Sequence, residues 1–479
     1  MSRARLTVGV LALLASGCVP TLVENPARDV RKAVPERFGT ADGEAGAEKP
    51  PPGVAQETWR SFFAYPELQA LIEAALQNNQ ELNVRLQEII IAQAEVGARR
   101  GEYLPRLRAG LGTGVEKVGG YTSQGQADKL TGVPENLGDF LFGLSASWEV
   151  DVWGRLRNAA SAADLRYQAS IEAKNFVVTQ LVAELARSYF ELIALDNELD
   201  VLNRNIKIQA DALEVVRLEK QAARVTELAV QRFEAEVLKN RSRLFDLEQE
   251  RVQAENRINF LVGRFPQPVA RKAETLKDPL PPIIHAGLPS GLLENRPDVR
   301  QAERELEAAK LDVSVARANF FPALSLEAGV GYRTFNVAHL VATPESLFYN
   351  LAGNLMAPLL NRAGIEAQYR SANARQIQAV FNYERTLLQA YTDVANQLVR
   401  YENLQQSYAL QARQVEVLSQ SVEVSNVLFQ AARADYMEVL LTRRDSLDAE
   451  LELIETKKRL LLSMVNIYQA LGGGWRPAS

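Results

Sequence analysis

Residues 140–155 read Phe140-Leu141-Phe142-Gly143-Leu144-Ser145-Ala146-Ser147-Trp148-Glu149-Val150-Asp151-Val152-Trp153-Gly154-Arg155. Phe140, Phe142, Leu144, Ala146 and Trp148 alternate with Leu141, Gly143, Ser145, Ser147 and Glu149, the period of a strand with one apolar face. Gly154 permits a sharp change of direction. Beyond it the period becomes seven: Leu185, Leu192, Leu199, Ile206 and Leu213 recur, with Leu195, Leu202 and Val216 between them. Neither proline nor glycine occurs over residues 155–261. A helix over 155–221 rises about 100 Å, a rod that few globular enzymes need.

The same pattern returns later in the chain. Leu324, Leu326, Ala328, Val330 and Tyr332 alternate with Ser325, Glu327, Gly329, Gly331 and Arg333, and residues 107–117 and 347–355 are weaker examples. A second heptad train runs Leu387, Val394, Tyr401, Tyr408, Val415, Val422, Phe429. Shorter return trains run Val230, Val237, Leu244 and Leu440, Leu447, Ile454, Leu461, Tyr468. Ala98-Arg99 before Tyr103-Leu104-Pro105 reappears as Ala316-Arg317 before Phe320-Phe321-Pro322. Gln221-Ala222-Ala223-Arg224 reappears as Gln430-Ala431-Ala432-Arg433, and Leu261-Val262-Gly263 as Ala470-Leu471-Gly472. Residues 59–263 and 288–472 are therefore expected to be two copies of one unit: helix, two strands, very long helix, tight turn, shorter helix. Residues 264–287 connect them and 473–479 form a tail. The fold class is mainly α with transmembrane β. No stretch after the leader offers 18 consecutive apolar residues, so any membrane crossing must use β-strands. Alternating strands of about ten residues suit a membrane barrel.

The first residues read as an export leader. Arg3 and Arg5 precede an apolar run over 6–15, too short to span a bilayer, and then Ala15-Ser16-Gly17-Cys18. Small residues before a lone cysteine resemble a bacterial lipobox. Residues 1–17 are thus expected to be a signal peptide and Cys18 the lipidated first residue of the mature chain. Residues 18–58 look like a tether, rich in Pro, Gly and Ala, with order expected from about Trp59.

Composition excludes several classes. The chain has 479 residues, a net charge of −5 and no long basic run, which argues against nucleic acid as a partner. One cysteine and two histidines, His285 and His339, leave no material for an intrachain disulfide or a Cys/His metal centre. There is no nucleophile motif and no phosphate-binding glycine loop. An enzyme is not expected, nor a cofactor. Acids such as Asp448 and Glu450 read as solvated helix faces.

Other segments carry a family resemblance. Trp59-x2-Phe62-Phe63-x2-Pro66-x-Leu68 with Ala75-Leu76-x-Asn78, then Trp148 to Arg155, then Glu294-Asn295-Arg296-Pro297-Asp298-Val299-Arg300 leading to Phe320-Phe321-Pro322, and the end Ala470-Leu471-Gly472-Gly473-Gly474-Trp475 resemble the TolC/OprM-like outer-membrane efflux proteins. The resemblance covers residues 59–475. It implies a homotrimer whose four strands per chain close a 12-stranded barrel that continues into an α-helical coiled-coil barrel. Residues 264–287 and the tail would form an equatorial belt. It also implies a passive exit duct of a tripartite pump for small molecules. The partners would be outer-membrane lipid, a periplasmic adaptor (membrane fusion) protein and an inner-membrane RND-type transporter. A duct for type I protein secretion is the alternative. A structural coiled-coil lipoprotein would explain the heptads and Cys18 but not four alternating segments. Many members carry glycine at the tight turns where this chain has Ala223 and Ala432.

A duct must close somewhere, and the expected gate is the tip made by residues 224–227 and 433–438. Asp435 and Glu438 are similar in position to gate acids of the family. Arg224 and Arg433 are expected to pair with those two acids, Phe429 to act as an apolar plug, and Glu227 is a further gate candidate. On the strands, Phe142, Leu144, Leu326 and Val330 are expected to face lipid, and Glu149, Glu327 and Arg333 the lumen.

Overall fold

The computed structural model describes residues 19–22, 28–30, 34–35, 38, 56–278, 289–431 and 433–476. Cys18, Ala432 and residues 279–288 lie outside these. The chain opens with helices α1 (Trp59–Phe62), α2 (Pro66–Asn78) and α3 (Gln80–Glu102). Strand β1 (Arg106–Glu116), helix α4 (Ser123–Thr131), strand β2 (Leu137–Val150), the long α5 (Arg155–Gln221) and α6 (Glu227–Val262) follow. After a 3-10 turn at Ala273–Lys277 come α7 (Gly291–Asn295), α8 (Pro297–Ala318), β3 (Ala323–Thr334), β4 (Leu347–Met356), α9 (Ala363–Gln430) and α10 (Tyr436–Ala470). Periodicity gave no sign of α4. It is a short polar helix capped by the Thr122 hydroxyl, which accepts from the Gly125 amide at 3.1 Å, and it ends at left-handed Gly132.

The described chain forms two compact units. The first gathers residues within 1–30, 89–169 and 303–382. It holds one antiparallel sheet of order β1-β2-β3-β4, so β1 and β4 are its two edges. The changes between helix and strand before β1, before β3 and after β2 are pinned by indole and carboxylate contacts. Trp148 Nε1 donates to the Tyr103 carbonyl at 3.0 Å, and Trp153 Nε1 to that of Pro322 at 2.8 Å. The Trp153 ring stacks on Phe321. Gly154 has φ +72°, the left-handed turn expected of it. Beside it, Asp151 accepts from the Leu156 and Arg157 amides at 3.1 and 2.9 Å and from Arg157 Nε at 3.1 Å, satisfying the start of α5. Burial pushes the Asp151 carboxyl up, but the hydrogen bonds from Arg157 and Leu156 outweigh it and hold its pKa below the usual range.

The first unit also corrects the reading that order starts at Trp59. Val19 and Leu22 pack against a cluster of Ala316, Phe320, Tyr369 and Ala372. Arg28 lies over the Phe381 ring at 4.2 Å, and its carbonyl accepts from Gln376 Nε2 at 3.0 Å. Isolated apolar residues in a proline-broken segment carry no period, so these anchors were not legible.

The second unit gathers residues within 31–88, 170–302 and 383–479. Its core is the heptad set: Leu185, Leu192, Leu195, Leu199, Leu202, Leu213 and Val216 are buried, as are Leu387, Val394, Leu447 and Leu461. Both helical hairpins end on a docked loop. Gly263, at φ +79°, approaches the Asn78 carbonyl, and Gly472, at φ +85°, approaches that of Asn295. Asn79 Nδ2 donates to the Leu261 carbonyl at 2.9 Å, and Arg296 Nη1 to that of Ala470 at 2.9 Å. Trp475 Nε1 closes the second loop on the Asn295 carbonyl at 3.0 Å. The connector is tied down by Arg271, which pairs with Asp196 at 2.5 Å and with Glu255, and by Asn197 Nδ2 donating to the Ala273 carbonyl at 2.9 Å.

Candidate functional site

The sheet is the first candidate, and its register sorts its side chains. Leu107 faces Ala146, Ala109 faces Leu144 and Leu111 faces Phe142. Leu144 faces Val330 and Trp148 faces Leu326. Ala328 faces Leu351 and Val330 faces Tyr349. One face of all four strands is therefore apolar, and on the chain alone it is open: Leu111 is 80%, Leu351 81% and Tyr349 83% exposed. An apolar patch of this extent marks contact with membrane or protein rather than water. Phe142, Leu144, Leu326 and Val330 all belong to it.

Glu149, Glu327 and Arg333 belong to the opposite face, with Arg106, Arg108 and Asp139. Arg333 grips Asp139 through Nε and Nη2, both at 2.9 Å, and Arg155 reaches Glu149 at 2.6 Å. Across the middle of this face runs a row of residues without side chains, Gly110, Gly143 and Gly331. A Cβ on Gly143 would meet the Val330 carbonyl oxygen at 2.7 Å. Such close backbone approach is found where strands bend. No helix among the described residues is long and apolar enough to cross a membrane.

The second candidate is the pair of helix turns in the second unit. At the first, Arg224 N bonds the Glu219 carbonyl at 2.9 Å, and Ala223 takes φ +55°, a conformation usually left to glycine. At the second, Arg433 N bonds the Leu428 carbonyl at 2.8 Å, the same six-to-one closure. Val225, Tyr436 and Leu440 pack on a shared core of Leu213, Val216, Ala229, Val230, Phe233 and Val237. The polar residues expected at a gate stand outside this core: Arg224, Glu227, Arg433, Asp435 and Glu438 are exposed, and Phe429 is half-buried. Glu227 pairs with Lys220, a partner the sequence reading missed. Asp435 holds the N-cap position of α10 without a side-chain cap bond. Among the described residues, no ion pair within the chain engages Arg224, Arg433, Asp435 or Glu438.

Within the helices, Glu450 departs from the solvated face expected of it. It is half-buried, and burial raises its pKa. Asp448 is exposed as expected, 3.8 Å from Arg243.

An apolar strand face joined to heptad helices is the arrangement of an outer-membrane duct, and comparison with known proteins decides the matter. The sequence model described as outer membrane efflux protein matches residues 71–264 and 288–473. The chain belongs to the outer membrane efflux protein family. The pyoverdine export outer membrane protein OpmQ of Pseudomonas aeruginosa is 32% identical over 425 residues, covering 88% of each chain. The cation efflux system protein CusC of Escherichia coli K12 is 27% identical over 485 residues, 99% of this chain and 100% of the relative. The probable outer membrane lipoprotein SilC of Salmonella typhimurium is 27% identical over 481 residues, 98% of each. Among solved structures, the outer-membrane channel OprN superposes with a TM-score of 0.84 at 25% identity, covering 94% of this chain and all of that one. The fold is that of these efflux channels, and the protein is an exit duct of the outer membrane. The two docked loops account for part of the residues that carried the resemblance: Asn295, Arg296 and Gly472 take part in the hairpin closure.

Proposed function

We propose that three copies of the chain close one barrel, β4 of each pairing with β1 of the next. The observation that carries this is the sheet itself: it ends in two open edges, β1 and β4, while its apolar face needs lipid. In a bilayer an open edge leaves backbone groups unsatisfied at several kcal/mol each, and closure removes every edge. Four strands from each of three copies give the 12-stranded barrel. The face of Phe142, Leu144, Leu326 and Val330 turns to lipid, and that of Glu149, Glu327 and Arg333 lines the lumen. The helices of both repeats, 59–263 and 288–472, form the periplasmic tunnel, and residues 264–287 and 473–479 the belt around it.

The duct passes small molecules unchanged. An inner-membrane RND-type transporter supplies the work through a periplasmic adaptor protein. Relatives named for pyoverdine, cation and toluene export support a small-molecule cargo. Cleavage after residue 17 leaves Cys18 as the lipidated residue heading the 18–58 tether, and Val19, packed on the unit that holds the sheet, supports an anchor beside the barrel. The turns at 224–227 and 433–438 gate the tunnel.

Native mass spectrometry and single-cysteine labelling test this reading. Cys18→Ser behind a conventional signal peptide supplies the cysteine-free background and should still yield trimers. In it, Asn350→Cys should react with a water-soluble maleimide and Leu351→Cys should not. Folded monomers in the bilayer, or the reverse labelling, would overturn it.

A further inference from the structure

Helix α10 carries a stripe at every seventh residue: Tyr436, Arg443, Glu450, Lys457, Met464. It places three charged side chains in succession in the helix seam of the second unit. Charges in such a seam are tolerated when paired. Arg443 donates to Asn426 Oδ1 at 2.8 Å and to the Ile208 carbonyl at 3.5 Å. Lys457, only 5% exposed, donates to the Asp278 carbonyl at 2.8 Å and lies 5.2 Å from the centre of the Tyr408 ring. Glu450 is the exception. Among the described residues no hydrogen bond or ion pair reaches its carboxylate, and Arg204, whose charge acts on it, is held by Asp200 at 3.2 Å.

Glu450 borders a cavity of about 250 Å³ whose apolar walls include Val201, Leu276, Tyr408 and Ile454 and whose charged lining adds Asp200, Arg204 and Lys457. An unpartnered acid opposite an aromatic and aliphatic wall complements a cation with a short apolar body. Both cations of the lining are already engaged: Lys457, about 10 Å of helix rise along α10, donates its ammonium to the Asp278 carbonyl, and Arg204 pairs with Asp200. We propose that this cavity binds a small organic monocation, its ammonium or guanidinium head at Glu450 and its body against Tyr408 and Leu276. The cavity is below the usual range of about 300–1,000 Å³ for ligand pockets, so the ligand is a fragment rather than a drug-sized molecule.

Calorimetry on the full-length protein in lipid nanodiscs tests this, with 4-phenylbutylammonium as the probe and 4-phenylbutanol as its neutral counterpart. The amine should bind saturably at one site per chain, at least tenfold tighter than the alcohol. Glu450→Gln should remove that advantage and leave alcohol binding unchanged. Ile454→Trp, which fills the cavity, should abolish both. Absence of saturable amine binding, equal affinity for amine and alcohol, or undiminished amine binding by Glu450→Gln would each overturn the assignment. Should Glu450→Gln fail to fold, the comparison of amine and alcohol on the unaltered protein decides.

Discussion

Gly472 lies so close to Asn295 that a Cβ on it would stand 2.5 Å from the Asn295 carbonyl oxygen. Its φ of +85° is also one that L residues rarely adopt. Gly472→Ala is therefore expected to cost about 2–5 kcal/mol, the sum of left-handed strain and displacement of a packed loop. Gly263→Ala, against Asn78, should behave alike. The thermal midpoint of the purified protein is the check, and an unchanged midpoint for both variants would show that the loops undock freely.

Ala223 tells the opposite story. It holds φ +55° with a Cβ present. Left-handed alanine costs about 1–2 kcal/mol, while glycine gives back about 0.5–1 kcal/mol through the unfolded chain. Ala223→Gly should thus raise stability by about 0.5–1 kcal/mol, and Ala223→Val should lower it, because a branched Cβ crowds that backbone further. Denaturant titration of both variants against the unaltered chain measures the two signs.

These two positions show what the sequence carried and what it did not. Alternation at Phe140 to Trp148 and heptads from Leu185 to Leu213 announce strands and helices because period alone reports which face is buried, and α5 runs over the residues that the heptads and Gly154 bound. A turn at Ala223 was expected, but its left-handed backbone was not legible, because alanine does not advertise it. The docking of Arg296 on Ala470 joins residues 174 positions apart, a distance over which no local pattern speaks. Lys220 as the partner of Glu227 depends on how the turn folds back, and Glu450 looks like any surface acid until the stripe containing Arg443 and Lys457 is seen to face a seam.

Asp151 should give the protein an acid-sensitive joint. Its folded pKa lies below the ordinary value, so its contribution is fully present above the unfolded pKa of about 3.9 and is lost as pH falls through the lower folded value. Asp151→Asn should cost about 1–2 kcal/mol at neutral pH, the worth of a helix cap with a charged acceptor. It should also flatten the fall in stability between pH 4 and pH 3, a window set by that about 3.9 reference. Melting at pH 7 and at pH 3 reads both effects; an equal loss at the two pH values would mean that the carboxylate charge is not what holds the start of α5.

The gate proposed at the turns rests on what they leave unpaired. Asp435 and Glu438 are exposed acids, and Arg224 and Arg433 exposed bases; none is engaged in an ion pair within its own chain among the described residues. In a three-fold assembly each appears three times around the opening, so acids of one copy can meet bases of the next. Exposed pairs are individually weak and salt-screened, which suits the proposed closure, one that an adaptor would release. Removing about 1.4 kcal/mol of closing interaction in total raises the ratio of open to closed ducts tenfold. Asp435→Ala combined with Arg433→Ala deletes one acid and one base from every copy, and the single-channel conductance or open fraction in a planar bilayer should rise. High salt should raise the unaltered channel toward the same level. A double variant that assembles as the unaltered protein does, yet conducts no better, would move the gate away from these turns.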